Sequence, residues 1–489
     1  MLSLKSVDLK KEKIESLVIP VCEDRDIHAN KIICSLIDTA KKIKAFKGEK
    51  EDEIVLYHLS DVKAESIIFL GLGKFEKLQA ESLRAMAGKA VKNLIRKQHT
   101  TVLIAVPSIA NANLKLQIVL ESMMEGAFLG NHLYDRYKNE KKHRSLDRID
   151  FLVNTDEAKT YKRLPSRIST ICRGTILARE WVSMPPNDKR PEFFAKSIES
   201  HAKKENLKVT VFNEKELKQK KFGAMLAVAA GSLSKPRLVI LEYKPAKPKK
   251  TIALVGKGVT FDSGGINLKT TASLSEMKMD MAGAAAVAAT LITAARLNLK
   301  HKIVGIIPIV ENMPSGNATR PGDIIQSYGE KTVEIGNTDA EGRLILIDAL
   351  SYAIKNYRPQ TVIDLATLTG ACIVALGEKI AGTFSFDDDL AENIILSGLN
   401  THERCWRMPL PEDYKDLIKS DFADLNNVPA TRSGGAITAA LFLSEFVKDT
   451  SWAHIDIAGP AYAKKESAYC GVGGTGFGVR LLCDLMERL

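Results

Sequence analysis

Four short segments in the second half of the 489-residue chain put carboxylates, lysines and an arginine where apolar runs end. In VGKGVTFDSGGINLK, residues 255–269, Lys257 stands between two glycines, and Asp262 and Lys269 follow in Gly-rich backbone. A phosphate loop does not fit, because GxxxxGK[ST] must open directly into a helix, whereas Gly258 and Val259 follow Lys257 here. The carboxyl end of a strand is, however, where α/β sheets hold ligands. Asp280 interrupts a largely apolar helical segment and needs a lysine, a backbone cap or a metal as partner. NTDAEGRL, residues 337–344, carries Asp339, Glu341 and Arg343 ahead of another helical pattern. Thr338 and Glu341 have the spacing of a capping box. Against a purely capping role, Gly342 costs about 1 kcal/mol inside a helix, and Arg343 sets a cation near the end that favours anions. The fourth segment, DLATLTGA (364–371), is a strand end running into a Thr/Gly turn.

Gathered at one sheet edge, Asp262, Asp280, Asp339 and Glu341 repel one another unless cations lie between them. Two divalent ions meet that need. Oxygen ligands alone favour Mg or Mn, and a neutral lysine amine shifts the preference towards Zn or another transition metal. None of the nine histidines lies in these segments. Such a centre activates a water and polarises a carbonyl, so the chemistry indicated is hydrolysis.

The elements that position these residues are legible as alternating strands and helices. SLVIPV, EIVLYHL, SIIFLGLGK, TVLIAVP and IDFLV read as strands in residues 14–160, with a helix across 75–97. In the second half KVTVFN, RLVILEY, TIALVGKGV, KIVGIIPIV, KTVEIG and QTVIDLATL read as strands, and their near-continuous apolar character suits a sheet covered on both faces. A helix over 166–183 is stopped by the double proline of MPPND. The expected architecture is two-domain α/β: a smaller N-terminal α/β domain (1–164), a connecting helix and linker (165–190), and a larger C-terminal α/β catalytic domain (191–489) with a mixed, mostly parallel central sheet.

Composition narrows the class further. No apolar run approaches the ~20 residues that span a bilayer, and the first residues lack a signal-peptide core, so a cytoplasmic protein is expected. Seven scattered cysteines without a CxxC pair suggest neither disulfides nor a thiolate zinc site. The net charge of +11 is uneven: residues 1–250 hold 48 Lys and Arg against 31 Asp and Glu, whereas residues 251–489 hold 22 against 28. The second half is the better host for cations, and the basic first half permits nucleic-acid contact, though no helix-turn-helix or RNA-binding signature accompanies it.

The motifs VGKGVTFDSGGINLK, MKMDMAGAAAV and NTDAEGRLILIDAL closely resemble those of the leucyl aminopeptidases, the cytosolic dinuclear-metal exopeptidases. The likeness continues through AREWVSMPPND, DLATLTGA and WAHIDIAGPAY and spans roughly residues 170–489. It implies that Asp262 and Glu341 bridge two divalent metals (Mn or Zn), that Lys257 and Asp280 complete one site, and that Asp339 completes the other. It implies further that Lys269 is the electrophile, that Arg343 holds a bicarbonate-like anion acting as general base, and that Thr367, Leu368 and Gly370 line the main-chain cleft with Met277 in the side-chain pocket. Peptide substrates, a preference for leucine or other hydrophobic N-terminal residues, and a homohexamer with active sites facing an internal cavity are the remaining expectations. A DNA-binding regulatory role, a catalytically silent hexamer and a dinuclear phosphohydrolase are the rivals. The last usually needs histidines that the motifs lack.

Overall fold

The computed structural model describes residues 1–108, 114–431, 433–447 and 449–489. The chain divides into two α/β units, one of Met1–Cys172 with Lys465–Val472, the other of Arg173–Lys464 with Gly473–Leu489. The first is built on a six-stranded sheet in the order Leu2–Lys5, Arg148–Leu152, Thr101–Ala105, Ile14–Cys22, Ala64–Gly73, Glu53–Tyr57. All neighbours are parallel except the last pair. Leu17, Val18 and Ile19 are consecutive and fully buried, as a strand covered on both faces requires. The helical pattern at 75–97 is a short 3-10 turn, Phe75–Lys77, followed by the helix Ala80–Arg96.

The second unit is organised by a nine-stranded mixed sheet. Its path runs Cys405–Arg407, Ala381–Ser385, Ser451–Asp456, Thr361–Ala366, Thr251–Gly256, Lys302–Asn312, Arg237–Tyr243, Lys208–Phe212. Gly258–Asp262 pairs in parallel with the far half of Lys302–Asn312. The centre of this sheet is parallel, antiparallel pairs follow on each side of it, and the edge pair Ala381–Ser385 with Cys405–Arg407 is parallel again. Alternation along Thr251–Gly256 sends Ile252 and Leu254 into one core and Ala253 and Val255 into the other. The first core is filled by the helix Ala282–Leu297, whose small side chains are buried all round from Ala282 to Ala294. By length and composition Met277–Leu297 suffices to cross a bilayer, but 83% of its apolar window is buried inside this core. Among the described residues, it alone meets that test. KTVEIG contributes its strand, Thr332–Glu334, to a separate three-stranded sheet with Ile324–Gln326 and Leu425–Asn426.

The helix Glu341–Tyr357 covers the opposite face and carries Asp348, which is fully buried. Its two carboxylate oxygens accept the main-chain N–H of Met225 at 2.9 Å and of Tyr328 at 2.7 Å. One side chain thus fixes two separate segments to the helix that opens with Glu341. Replacing it with alanine leaves both buried donors unpaired, at about 1–3 kcal/mol each. Asp348→Ala is therefore expected to lower unfolding stability by about 2–6 kcal/mol in a denaturant titration, and a change under about 1 kcal/mol would contradict this account.

Candidate metal centre

Lys257 interrupts the run TIALVGKGV, which forms two strands rather than one, Thr251–Gly256 and Gly258–Asp262. Around this break, Gly256, Asp262, Asn312, Ala366 and Asp456 end five strands, all parallel to their neighbours within the group. The site therefore occupies the carboxyl edge, where peptide groups and side chains leave the sheet unpaired. The Lys257 ammonium is buried and donates to Asp280 Oδ1 at 2.7 Å, Glu341 Oε1 at 2.8 Å and the Thr367 carbonyl at 2.8 Å. Lys269 makes the matching bridge, 2.8 Å from Asp262 Oδ2 and 2.5 Å from Asp339 Oδ1. Two lysines thus join four carboxylates from three segments, and Thr367 adds its hydroxyl, donated to Asp280 Oδ1 at 2.8 Å.

The remaining sequence candidates lie beside this cluster. Arg343 is buried on the same helix as Glu341, and its Nη1 donates to the Asn427 carbonyl at 2.7 Å, while Nε has no hydrogen-bond partner. Met277 lies half-buried against the first core, in the 3-10 turn that leads to Asp280. Leu368 and Gly370 follow Thr367 on the turn into the helix Gly370–Leu376. No ion pair or hydrogen bond joins the side chain of Met277 or Leu368 to the carboxylates.

The expected capping box at Thr338 does not form. The helix begins at Glu341 with Ala340 as N-cap and no side-chain cap. Thr338 instead donates to the Gly264 carbonyl at 2.7 Å and accepts from Asn267 N–H at 2.9 Å, tying NTDAEGRL to the Gly-rich loop. Asp280 likewise does not cap the helix Ala282–Leu297, whose N-cap is Met281. Gly342, costly by helix propensity, has a steric reason. A β-carbon there would lie 2.6 Å from Cε and 2.7 Å from Nζ of Lys257. Gly264, at φ +89°, lets its own N–H turn back onto Asp262 Oδ1 at 2.9 Å.

Several positioning residues were not legible as candidates. Asn312 Nδ2 donates to Asp262 Oδ1 at 2.8 Å and to the Thr338 carbonyl at 3.1 Å. Asn427 is fully buried, accepts Gly336 N–H and donates to the Asn337 carbonyl, both at 2.8 Å, so it sets the approach to Asp339. Asp456 accepts Leu368 N–H at 3.1 Å and the Thr369 hydroxyl at 2.7 Å, fixing the turn after Thr367. Asn312 and Asp456, polar residues closing apolar strands, carry the same signal as Asp262. Asn427, in a loop, carries none.

Charge is unbalanced here. Burial, then Glu341, pushes Asp262 up to about 7 despite the nearby lysines. Burial also raises Asp280 and Asp339. Burial works against the Lys257 ammonium, but Asp280 and Glu341 outweigh it and hold the group above an ordinary lysine. Burial lowers Arg343 to about 10. A divalent cation fits this donor set. Asp262, Asp280 and Glu341 each offer an oxygen, these atoms lying within 4.8 Å of one another, and Asp280 Oδ2 and Glu341 Oε2 are buried without a hydrogen-bond partner.

A two-unit α/β chain with buried carboxylates and lysines meeting at the carboxyl edge has the make-up of a metal-dependent hydrolase. The model of the cytosol aminopeptidase family catalytic domain matches residues 176–483, and that of the family's N-terminal domain matches residues 21–141. The chain belongs to the cytosol aminopeptidase family, a family of metal-dependent aminopeptidases. It is 44% identical over 450 residues to a probable cytosol aminopeptidase of Syntrophotalea carbinolica, covering 91% of this chain and 90% of that one. A probable cytosol aminopeptidase of Clostridium perfringens is 38% identical over 479 residues, 97% of each. Among solved structures, the bottromycin maturation enzyme BotP in complex with Mn superposes with a TM-score of 0.87 at 32% identity, covering 97% of this chain and 99% of that one.

Metal ions and protons compete for these carboxylates. Because Asp262 without metal titrates at about 7, it is ionised above that pH and protonated below it. Mn affinity is therefore expected to fall as pH drops from 8 to 6, by about tenfold per unit for each proton displaced. Calorimetry in buffers of differing ionisation enthalpy should register proton release, and affinity independent of pH over this range would refute the coupling.

Proposed function

We propose that the protein is a two-metal aminopeptidase that removes an N-terminal leucine or other hydrophobic residue from peptides. The observation that carries this is the pair of unpartnered buried oxygens, Asp280 Oδ2 and Glu341 Oε2, in a cluster where carboxylates outnumber lysines four to two. Lys257, once a bound ion had displaced its proton, would hold the ions together with Asp262, Asp280, Asp339 and Glu341, and one neutral amine among carboxylates suits Zn or Mn. Bound ions would supply Lewis acidity and a water acidic enough to attack a carbonyl near neutral pH.

The chain's own groups account for the rest. Lys269 keeps part of its side chain exposed and carries a stable positive charge, since Asp262 and its neighbours outweigh the burial penalty. It is suited to donate to the scissile carbonyl oxygen as negative charge develops there. Arg343 has an unengaged buried Nε that suits a small oxyanion such as bicarbonate, which would accept the proton of the attacking water. The substrate's free α-amine, in its neutral form, would be held by a bound ion, favouring a free N-terminus over an internal bond. Thr367, Leu368 and Gly370 would line the cleft beside the cluster along the substrate main chain, and Met277 offers an adaptable apolar surface for its side chain.

Hydrolysis of Leu-p-nitroanilide by the purified protein, its loss on chelation, and its return with Mn and Zn added separately test the activity and the metal together. Asp339→Asn and Glu341→Ala are each expected to abolish hydrolysis with an unchanged far-UV spectrum. Lys269→Met is expected to lower kcat by about 10²–10³-fold. Full activity in Asp339→Asn or Glu341→Ala would remove the ligand assignment.

A further inference from the structure

The MPPND segment takes no part in the site described above. Just before it, the helix Leu164–Ser183 reaches its last turn. The Trp181 and Val182 carbonyls would ordinarily accept from the N–H groups four residues on. Those residues are Pro185 and Pro186, which have none. Lys189 replaces both missing donors. Its Nζ donates to the Trp181 carbonyl at 2.9 Å and the Val182 carbonyl at 3.0 Å, and its third hydrogen goes to the Lys278 carbonyl at 2.6 Å. The residue is fully buried. Burial pushes its pKa well down, but three carbonyls converging on one nitrogen require three N–H donors, which only the ammonium has. The negative end of the helix dipole favours the same form.

The third bond gives this cation its reach. Lys278 lies in the 3-10 turn Met277–Met279, and Asp280 follows directly. Asp280 meets Lys257 and Thr367 through Oδ1 and leaves Oδ2 unpartnered. We propose that Lys189 is a positioning residue for the metal centre, a tethered cation that holds the Met277–Asp280 turn against the end of the helix Leu164–Ser183 and thereby sets the Asp280 carboxylate. This rests on the metal-binding part of the proposed function and not on the choice of substrate.

Lys189→Met keeps the apolar stem and removes all three donors, whereas Lys189→Gln keeps two. Mn affinity of the metal-free full-length protein is measured by calorimetry, with melting temperature and far-UV spectrum recorded on the same samples. Folded Lys189→Met is expected to bind Mn at least about tenfold more weakly, the usual effect of losing an outer support of a ligand, with Lys189→Gln between it and the wild type. A purely structural role predicts a lower melting temperature with unchanged Mn affinity, and that result overturns the proposal. If Lys189→Met does not fold, Lys189→Gln is judged by the same criterion. If neither folds, Lys189 is structural only and the proposal is rejected. Wild-type protein that binds no Mn overturns the metal centre and this role together, whereas Mn binding without peptide hydrolysis overturns the substrate assignment alone.

Discussion

The catalytic unit depends on holding like charges together where most of them are buried and solvent screens them little. Four carboxylates converge at the carboxyl edge of the sheet, and in the absence of metal two lysines, each spanning two of them, prevent their dispersal. Lys257 is central because its bonds to Asp280, Glu341 and the Thr367 carbonyl also join three segments of chain. Breaking such a buried pair by removing one partner typically costs several kcal/mol, since it strands an uncompensated charge. The surrounding neutral network of Asn312, Thr338, Asn267 and Asn427 adds hydrogen bonds without adding charge, which makes it a suitable frame for a site that must exchange protons for cations.

The sheet serves this cluster directly. Parallel strands end together, so residues far apart in sequence leave the core at the same edge. The helices on the two faces contribute the other carboxylates from their first turns or just before them: Asp280 precedes Ala282–Leu297, and Glu341 opens Glu341–Tyr357. Asp348, two turns further along the second helix, braces that helix against two other segments.

Much of this was legible in the sequence because burial and chemistry leave opposing marks. A long apolar run that is ended or interrupted by Asp or Lys, as at Lys257, Asp262 and Asp280, announces a polar group held at the edge of a core. Lys208–Phe212, Arg237–Tyr243, Thr251–Gly256, Lys302–Asn312 and Thr361–Ala366 stood out in the central sheet for the same reason, with Ile, Val and Leu on both faces, whereas Ala381–Ser385 and Ser451–Asp456, broken up by Gly, Ser, Thr and His, did not. What escaped was local or long-range. Leu2–Lys5 and Cys405–Arg407 are too short to display a period. The cap expected of Thr338 failed because its hydroxyl finds Asn267, 71 residues away, a competition that no local pattern records. Asn427 sits in a loop, and its importance exists only once Arg343, Gly336 and Asn337 surround it.

The path of the Lys257 side chain over Gly342 also bears on how this protein can be stabilised. Exchanging a helical glycine for alanine is ordinarily a dependable gain, since it restricts the unfolded chain. At position 342 the space that alanine needs is already filled by the lysine. Position 342 is therefore closed to that kind of improvement, and stabilising exchanges belong where no buried side chain already fills the space.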